Sequence, residues 1–184
     1  MKKTGLLLSV AAIACSALMF SACDDLKSKL FKAFTTNKFE MDFTIPVQST
    51  IGTKGDVGSV VQNYNLDSLI SAETGGAFGL DDIKSVELKT IEVVILNPDA
   101  TNNLANFEEG WCVFSSDQNM TPIGIATGLI PDTYADSYVM TPVPGINLKD
   151  YMTGKVYTYV MQSKLRRATT KALNCKLKVA FQIN

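Results

Sequence analysis

The 184-residue chain has four cysteines and no histidine. Without histidine there is no Ser-His or Cys-His nucleophilic pair, and the commonest metal ligand is missing. Chemistry therefore falls to thiols and carboxylates. Cys15 lies inside an apolar run. Cys23 follows Phe20-Ser21-Ala22 and precedes Asp24-Asp25, and Cys112 and Cys175 lie in segments with strand patterning. Adjacent acids occur at Asp81-Asp82 and Glu108-Glu109. Neighbours on a strand point to opposite faces, whereas glycoside hydrolysis needs two carboxylates facing across a cleft. These pairs read as solvated acids, and no catalytic residue is assigned. "NPDATNN", residues 97–103, offers Asp99, Asn102 and Asn103 as oxygen donors. It lacks the acid spacing and glycine of a calcium loop, so it reads as a turn. No Gly-rich phosphate loop appears. Neither a metal nor a cofactor is expected.

The amino terminus says more. Lys2 and Lys3 precede "TGLLLSVAAIACSALMFSA", a nearly uncharged stretch ending in small residues. This is the layout of a secretory signal peptide. Residues 5–22 are just long enough to span a bilayer, but the acids at 24 and 25 replace the cationic flank of a stop-transfer segment. Phe20-Ser21-Ala22-Cys23 resembles the lipobox of bacterial lipoproteins, with Phe20 where leucine is usual. The resemblance implies cleavage between Ala22 and Cys23 and lipidation of the Cys23 thiol. Two or three acyl chains, at about 0.8 kcal/mol per buried methylene, would hold the chain persistently. Cys15 is a poorer candidate, because cleavage there would leave an apolar tail. The competing reading is an ordinary signal peptide cut after Ala22, leaving a soluble chain.

Asp24-Asp25 resembles the acidic export signals of surface-exposed lipoproteins in Bacteroidota. An aspartate beside the cysteine also resembles an inner-membrane retention signal of enterobacterial lipoproteins. The resemblance implies a bacterial cell envelope location, at the outer membrane and exposed at the surface. Asp67-Ser68-Leu69 resembles the O-glycosylation motif of the same envelope proteins.

Three segments follow from this: a signal peptide over 1–22, a lipid-anchored tether over 23–38, and one domain over 39–184. The signal would remove two lysines and no acid, making the mature chain more acidic than its present −1. Nothing in that balance calls for nucleic acid. In the tether, Leu26, Leu30, Phe31 and Phe34 recur at helical spacing between lysines that could touch anionic head groups.

Beyond residue 38 the period becomes two. "FEMDFTIPV" reads as a half-buried strand that ends at Pro46. Residues 52–58 read as a turn-rich break, with a strand over 57–64 after it. "NLDSLISAETGG" reads as a short helix, capped by Asn65 or Asp67 and ended by Gly75-Gly76. Over 83–99 the inward parity changes at Lys89-Thr90, which predicts a bulge, and "VVIL" predicts a central strand. A hairpin is expected over 111–127, a compact helix over 147–154, and strands over 155–165 and 175–184 joined by "RRATTK". The pattern predicts an all-β fold, an antiparallel β-sandwich with one or two short helices in its connections. "VVILNPD", the hairpin and "PIGIATGLIP" resemble the immunoglobulin-like sandwich of late-embryogenesis-abundant-type domains.

Two thiols remain in an oxidising compartment, Cys112 and Cys175. A disulfide between them would close a loop of about 60 residues and contribute ~4 kcal/mol. Two buried free thiols are the alternative. Trp111 and the C-terminal tyrosines are either ligand-binding rings or core, and "KLRRATTK" is either a site for acidic glycans or head groups or a solvated hairpin connection between the last two strands. The resulting expectation is a non-enzymatic lipoprotein, held to a membrane through covalent lipid, that binds a protein or glycan or organises the envelope. The alternative is an envelope enzyme acting on glycan through paired carboxylates.

Overall fold

The computed structural model describes residues 30–184. The signal segment, Cys15, the cleavage site at Ala22 and the lipidation site at Cys23 lie outside the described residues. Among the described residues nine strands are present: β1 (Phe34–Thr35), β2 (Phe39–Ile45), β3 (Lys54–Asn63), β4 (Val86–Ile95), β5 (Phe107–Ser116), β6 (Ile123–Leu129), β7 (Ser137–Pro142), β8 (Val156–Leu165) and β9 (Leu173–Ile183). One helix, α1 (Leu66–Glu73), follows β3. Short 3₁₀ turns cover Leu80–Asp82, Leu104–Asn106 and Lys149–Tyr151.

All ladders between strands are antiparallel, and they trace one path, β1-β9-β4-β7-β6-β5-β8-β3, with β2 also on β9. The path folds over at β7. Ser137–Met140 pairs with β4, while Thr141 and Pro142 pair with β6. Two sheets result, β2-β9-β4-β7 and β6-β5-β8-β3, packed face to face. The expected antiparallel sandwich is thus formed. Every connection after β2 crosses from one sheet to the other, apart from the β5–β6 hairpin. This is the strand order of a double-Greek-key jelly roll.

The sheet facing β3 and β8 is closed by β9. Leu173, Leu177, Val179, Phe181 and Ile183 are fully buried at alternate positions, and Lys176 and Lys178 point outward. The parity switch in β4 is a register shift between Leu88 and Thr90, as its sequence predicts. Asn65 caps α1, its Oδ1 accepting from Ser68 N at 3.2 Å. Leu66 and Ile70, one turn apart, are the buried face. Gly75 and Gly76 end the helix at positive φ.

Four expectations are corrected. Residues 31–38 belong to the domain: β1 pairs with β9, and the Phe31 ring meets Phe34 and Phe78 at 6.2 and 5.3 Å. β3 begins at Lys54 within the expected break, because a bulge between Asp56 and Gly58 absorbs its irregular pattern. The 147–154 segment forms only the 3₁₀ turn at Lys149–Tyr151, as Asn147 Oδ1 also accepts from Val86 N at 3.1 Å. Finally, β8 and β9 do not pair. "RRATTK" carries the chain from one sheet to the other.

The two ends of the sandwich differ. At one end lie β1, the carboxyl terminus, α1 and the 143–155 connection. Leu148 N donates to Val86 O at 2.7 Å there, and Lys84 N to Asn184 O at 2.6 Å. At the opposite end lie four connections, residues 46–53, 96–106, 130–136 and 166–172.

The core contains an apolar cavity of about 40 Å³ beside Phe43, Ile45, Val57, Ile130, Met140 and Met161. Gly110 forms part of its wall. A methyl at Gly110 would lie 3.6 Å from Ile130 Cδ1 and Met140 Cε, ordinary contact distance. Gly110→Ala should therefore stabilise the domain by about 0.5–1 kcal/mol, as unfolded-state entropy falls and the cavity shrinks. Thermal melts should show a rise of roughly 2–4 °C per kcal/mol. Gly128→Ala should do the reverse. Its methyl would fall 2.5 Å from Tyr138 Cε1, and the Tyr138 hydroxyl is held by Leu129 O at 2.9 Å.

Candidate functional site

The four connections opposite β1 are tied together by side chains. Asn102, Asn103 and Asn106 are buried at 2–4% exposure. Buried amides must find partners, and these do. Asn106 Nδ2 donates to Thr101 O at 3.0 Å and Ala168 O at 2.9 Å. Asn102 Oδ1 accepts from Thr170 N at 2.7 Å. Asn103 Oδ1 accepts from Ala105 N at 2.9 Å, capping the 3₁₀ turn. The 130–136 connection is held by Arg166, whose guanidinium donates to Ala105 O, Phe107 O and Ile130 O at 2.9–3.0 Å. Thr169 and Gln48 exchange two bonds at 2.9 Å, which fixes the 46–53 connection.

Between these loops lies a cleft of about 360 Å³, with Tyr134, Asp132 and Arg167 on its rim. Arg167 Nη2 bonds both Asp132 and Ala105 O. That pairing pulls the Asp132 carboxyl below its usual range. The cleft floor is polar, yet the amides of Asn103 and Asn106 are already engaged. Tyr134, 61% exposed, is the prominent ring on the rim.

The "NPDATNN" oxygens are engaged too. Asp99 Oδ1 accepts from Thr101 N and Oγ1 and from Asn102 N at 2.8–2.9 Å, and Oδ2 meets Lys171 at 2.7 Å. Lys171, then Asn102 and Thr101, hold the Asp99 carboxyl well below its usual range. The segment is a turn, as its sequence indicates. Among the described residues no group of three or more Cys, Asp or Glu is placed to hold a metal ion.

The cations of "KLRRATTK" are each paired. Lys164 meets Glu108 at 3.0 Å, Arg166 the three carbonyls, Arg167 Asp132, and Lys171 Asp99. The segment is a cross-sheet brace. Of the acid pairs, Asp82 and both glutamates have structural roles. Asp82 Oδ2 accepts from Gly79 N at 2.9 Å. Glu108 and Glu109 both reach Lys164, at 3.0 and 4.0 Å, because a register shift at the start of β5 turns them to one side. The expectation that they point to opposite faces is thereby corrected. Asp67 Oδ1 accepts from Leu80 N at 2.7 Å, and its neighbour Ser68 is exposed on α1.

Cys112 and Cys175 are free and buried, one in each sheet. Cys112 sits between Ala126 and Met161, and Cys175 between Phe43 and Ile95. They fill the core as small apolar groups. Burial pushes the Cys175 thiol up to about 12 and raises Cys112 further.

Aromatic residues divide by position. Tyr157 and Tyr159 are fully buried, with Phe114 centroids 5.9 and 5.0 Å away. Tyr64 stacks between Phe39 and Tyr157 at 4.6 and 4.3 Å. Trp111 instead faces outward from β5, with Lys54 Nζ 4.2 Å from its ring centroid.

The two outer sheet faces are unlike. On the β2-β9-β4-β7 sheet, Lys176 pairs with Glu40 at 2.8 Å, and Glu92 receives Lys38 at 3.4 Å and Lys178 at 3.7 Å. On the other sheet, cross-strand rows run Val61–Thr158–Ser115, then Ser59–Val160–Val113–Gly124, then Asp56–Gln162–Trp111–Thr127. The middle of that face is neutral, mixing hydroxyls and apolar groups around Trp111.

No family model matches the sequence, and no curated protein matches it. One solved structure, described as "Structure of infectious bursal disease virus Gx strain", shares 10% identity at a TM-score of 0.24. That alignment covers 83% of this chain and 41% of the viral one, so the chain spans less than half the viral protein's length.

The two buried tyrosines should respond differently to loss of the hydroxyl. Tyr157 Oη donates its single hydrogen toward Gly154 O at 2.6 Å and Met152 O at 3.1 Å. Tyr159 Oη has no hydrogen-bond partner of good geometry. Tyr157→Phe should cost about 1–2 kcal/mol, and Tyr159→Phe should be neutral or slightly stabilising, in urea unfolding. Alkaline stability follows from the same burial. Desolvation raises Tyr64 and Tyr159, pushes Tyr157 and Cys175 up to about 12, and raises Cys112. Unfolded thiols and phenols ionise near 8.5 and 10. Above about pH 9 the unfolded chain therefore releases protons that the folded chain retains. The urea midpoint should hold from pH 7 to about 8.5 and then fall steadily toward pH 11.

Proposed function

We propose that the chain is a lipid-anchored envelope lipoprotein whose sandwich serves binding or envelope organisation without catalysis. One observation carries the reading: the chain enters the domain at one end, and its braced loops lie at the other. Seven residues, 24–30, separate Cys23 from the docked Phe31. Fully extended they reach about 25 Å. A lipidated Cys23 would hold the β1 end close to the bilayer, while the loop end and both outer faces stay accessible.

The residue chemistry agrees. Acids and cations that might serve a reaction are engaged in caps, braces and surface pairs. A scaffold of sheet and braced loops presenting a few free rings suits recognition. The proposed location is the outer membrane of a bacterial envelope with the domain exposed, as the lipobox-like Cys23 and Asp24-Asp25 imply.

Metabolic labelling with an acyl probe tests the anchor. The wild-type chain should take up label and fractionate with membranes. Cys23→Ala should lose the label and move to the soluble fraction. Equal labelling of the two, or a mature terminus bearing an unmodified Cys23, would overturn the reading.

A further inference from the structure

We infer that the outer face of the β3-β8-β5-β6 sheet is a platform for an uncharged glycan chain, with Trp111 as its stacking residue. The inference rests on the binding role proposed above and names the class of partner. It does not depend on the anchor itself.

The first ground is the contrast between the two solvated faces of one domain. Both sheets expose their outer side chains to water, yet only one uses alternating charges. Solvation alone therefore does not account for the neutral face. Thr158, Ser115, Ser59 and Thr127 put hydroxyl groups on three successive rows. Charged side chains of this face occur at its rim, where Asp56 receives Gln162 Nε2 at 2.8 Å and Lys164 pairs with Glu108.

The second ground is the geometry of Trp111. Its neighbours along the row are Gln162 and Thr127, and Gly124 leaves open space on the adjoining row. A ring lying among hydroxyls and an amide on a sheet face matches a sugar, whose C–H face packs on an aromatic ring while its hydroxyls bond outward. Lys54 lies over the ring as a cation–π partner. Such a contact is worth only about 0.5–1 kcal/mol at an exposed site. A flexible lysine can therefore give way and offer its ammonium to a sugar oxygen.

The third ground separates a glycan from a protein. A protein interface gathers its apolar residues into a dry centre. Here Val160 adjoins Val113, but the pair is bordered by Ser59 and Gly124 in its own row and by Thr158 and Ser115 in the next, and Val61 stands apart beside Thr158. A second copy packed on this face would bury those hydroxyls against one another, whereas a polyhydroxylated chain gives each a partner. A polyanion would gain little, since Lys54 reaches the Trp111 row from the rim but Asp56 lies on that same row.

Trp111 is the only tryptophan, so its emission reports on this face alone. The test uses the full chain in detergent. Native gels containing amylopectin, hydroxyethyl cellulose or galactomannan measure retardation, and titration with the same polymers follows Trp111 emission. At least one polymer should retard the chain and shift the emission. Trp111→Ala should weaken retardation by about tenfold or more. Val160→Lys, which sets a charge in the centre without disturbing the core, should weaken it as well. Tyr134→Ala, on the loop cleft, should leave it unchanged. No retardation and no emission change with any of the three polymers would overturn the inference. So would undiminished retardation of Trp111→Ala, or an emission change explained by self-association in size-exclusion runs without polymer. Unlipidated Cys23→Ala should still bind, so a failed glycan test leaves the acyl-labelling result standing, and the reverse.

Discussion

The fold depends on the pairing of β9. This strand lies inside its sheet, with β1 and β2 along one edge and β4 along the other. Its inward residues are among the most deeply buried in the domain. It is also the last of the described strands. Until Leu173–Ile183 arrives, β2 and the β9-facing edge of β4 lack hydrogen-bond partners, and the apolar faces of both sheets have nothing to close against. Pairings this distant in sequence are slow to form.

Jelly-roll connectivity imposes a second requirement. Long connections must pass between sheets, and their backbone groups have no ladder to satisfy them. Arg166, Thr169 and the three buried asparagines supply the missing partners at the loop end. Arg166 and Arg167 each join the 96–106 and 130–136 connections to the start of the β8–β9 crossing. The polar groups most suggestive of a site in the sequence are therefore occupied in building it. The groups the scaffold leaves over are rings such as Trp111 and Tyr134 and the hydroxyls of one sheet face, and the proposed recognition would use these.

Much of the architecture was legible in the chain because period two survives burial on one face. β2 and β9 show it cleanly, with Phe39, Met41, Phe43 and Ile45 opposed to Val179, Leu177, Cys175 and Leu173. The β4 bulge was visible as a change of parity, and the α1 cap as Asn65 ahead of an apolar pair. Strand β7 was not foreseen, since "SYVMTP" is short, half-exposed and ends in proline. The role of "KLRRATTK" was hidden because its cations find partners 30 to 70 residues away in sequence. Glu108-Glu109 misled for a local reason, a bulge that period two cannot anticipate. Trp111 was identified as a residue to weigh, but its outward position followed only from the pairing of β5 with β8.

The distribution of charge bears on what each face meets. Exposed ion pairs contribute little to stability, typically under about 1 kcal/mol each. The Lys176–Glu40 and Lys178–Glu92 pairs thus do little to hold the sheet together. They do make that face well hydrated and unfavourable to apolar contact. The same argument applies in reverse to the Trp111 face. Replacing its serines, threonines and valines with paired charges would leave the ladders intact, because these side chains make no contribution to the core. A neutral face of hydroxyls around one ring is therefore not required by the fold. Beside a second sheet that excludes such chemistry, it is the surface that the proposed glycan binding would use.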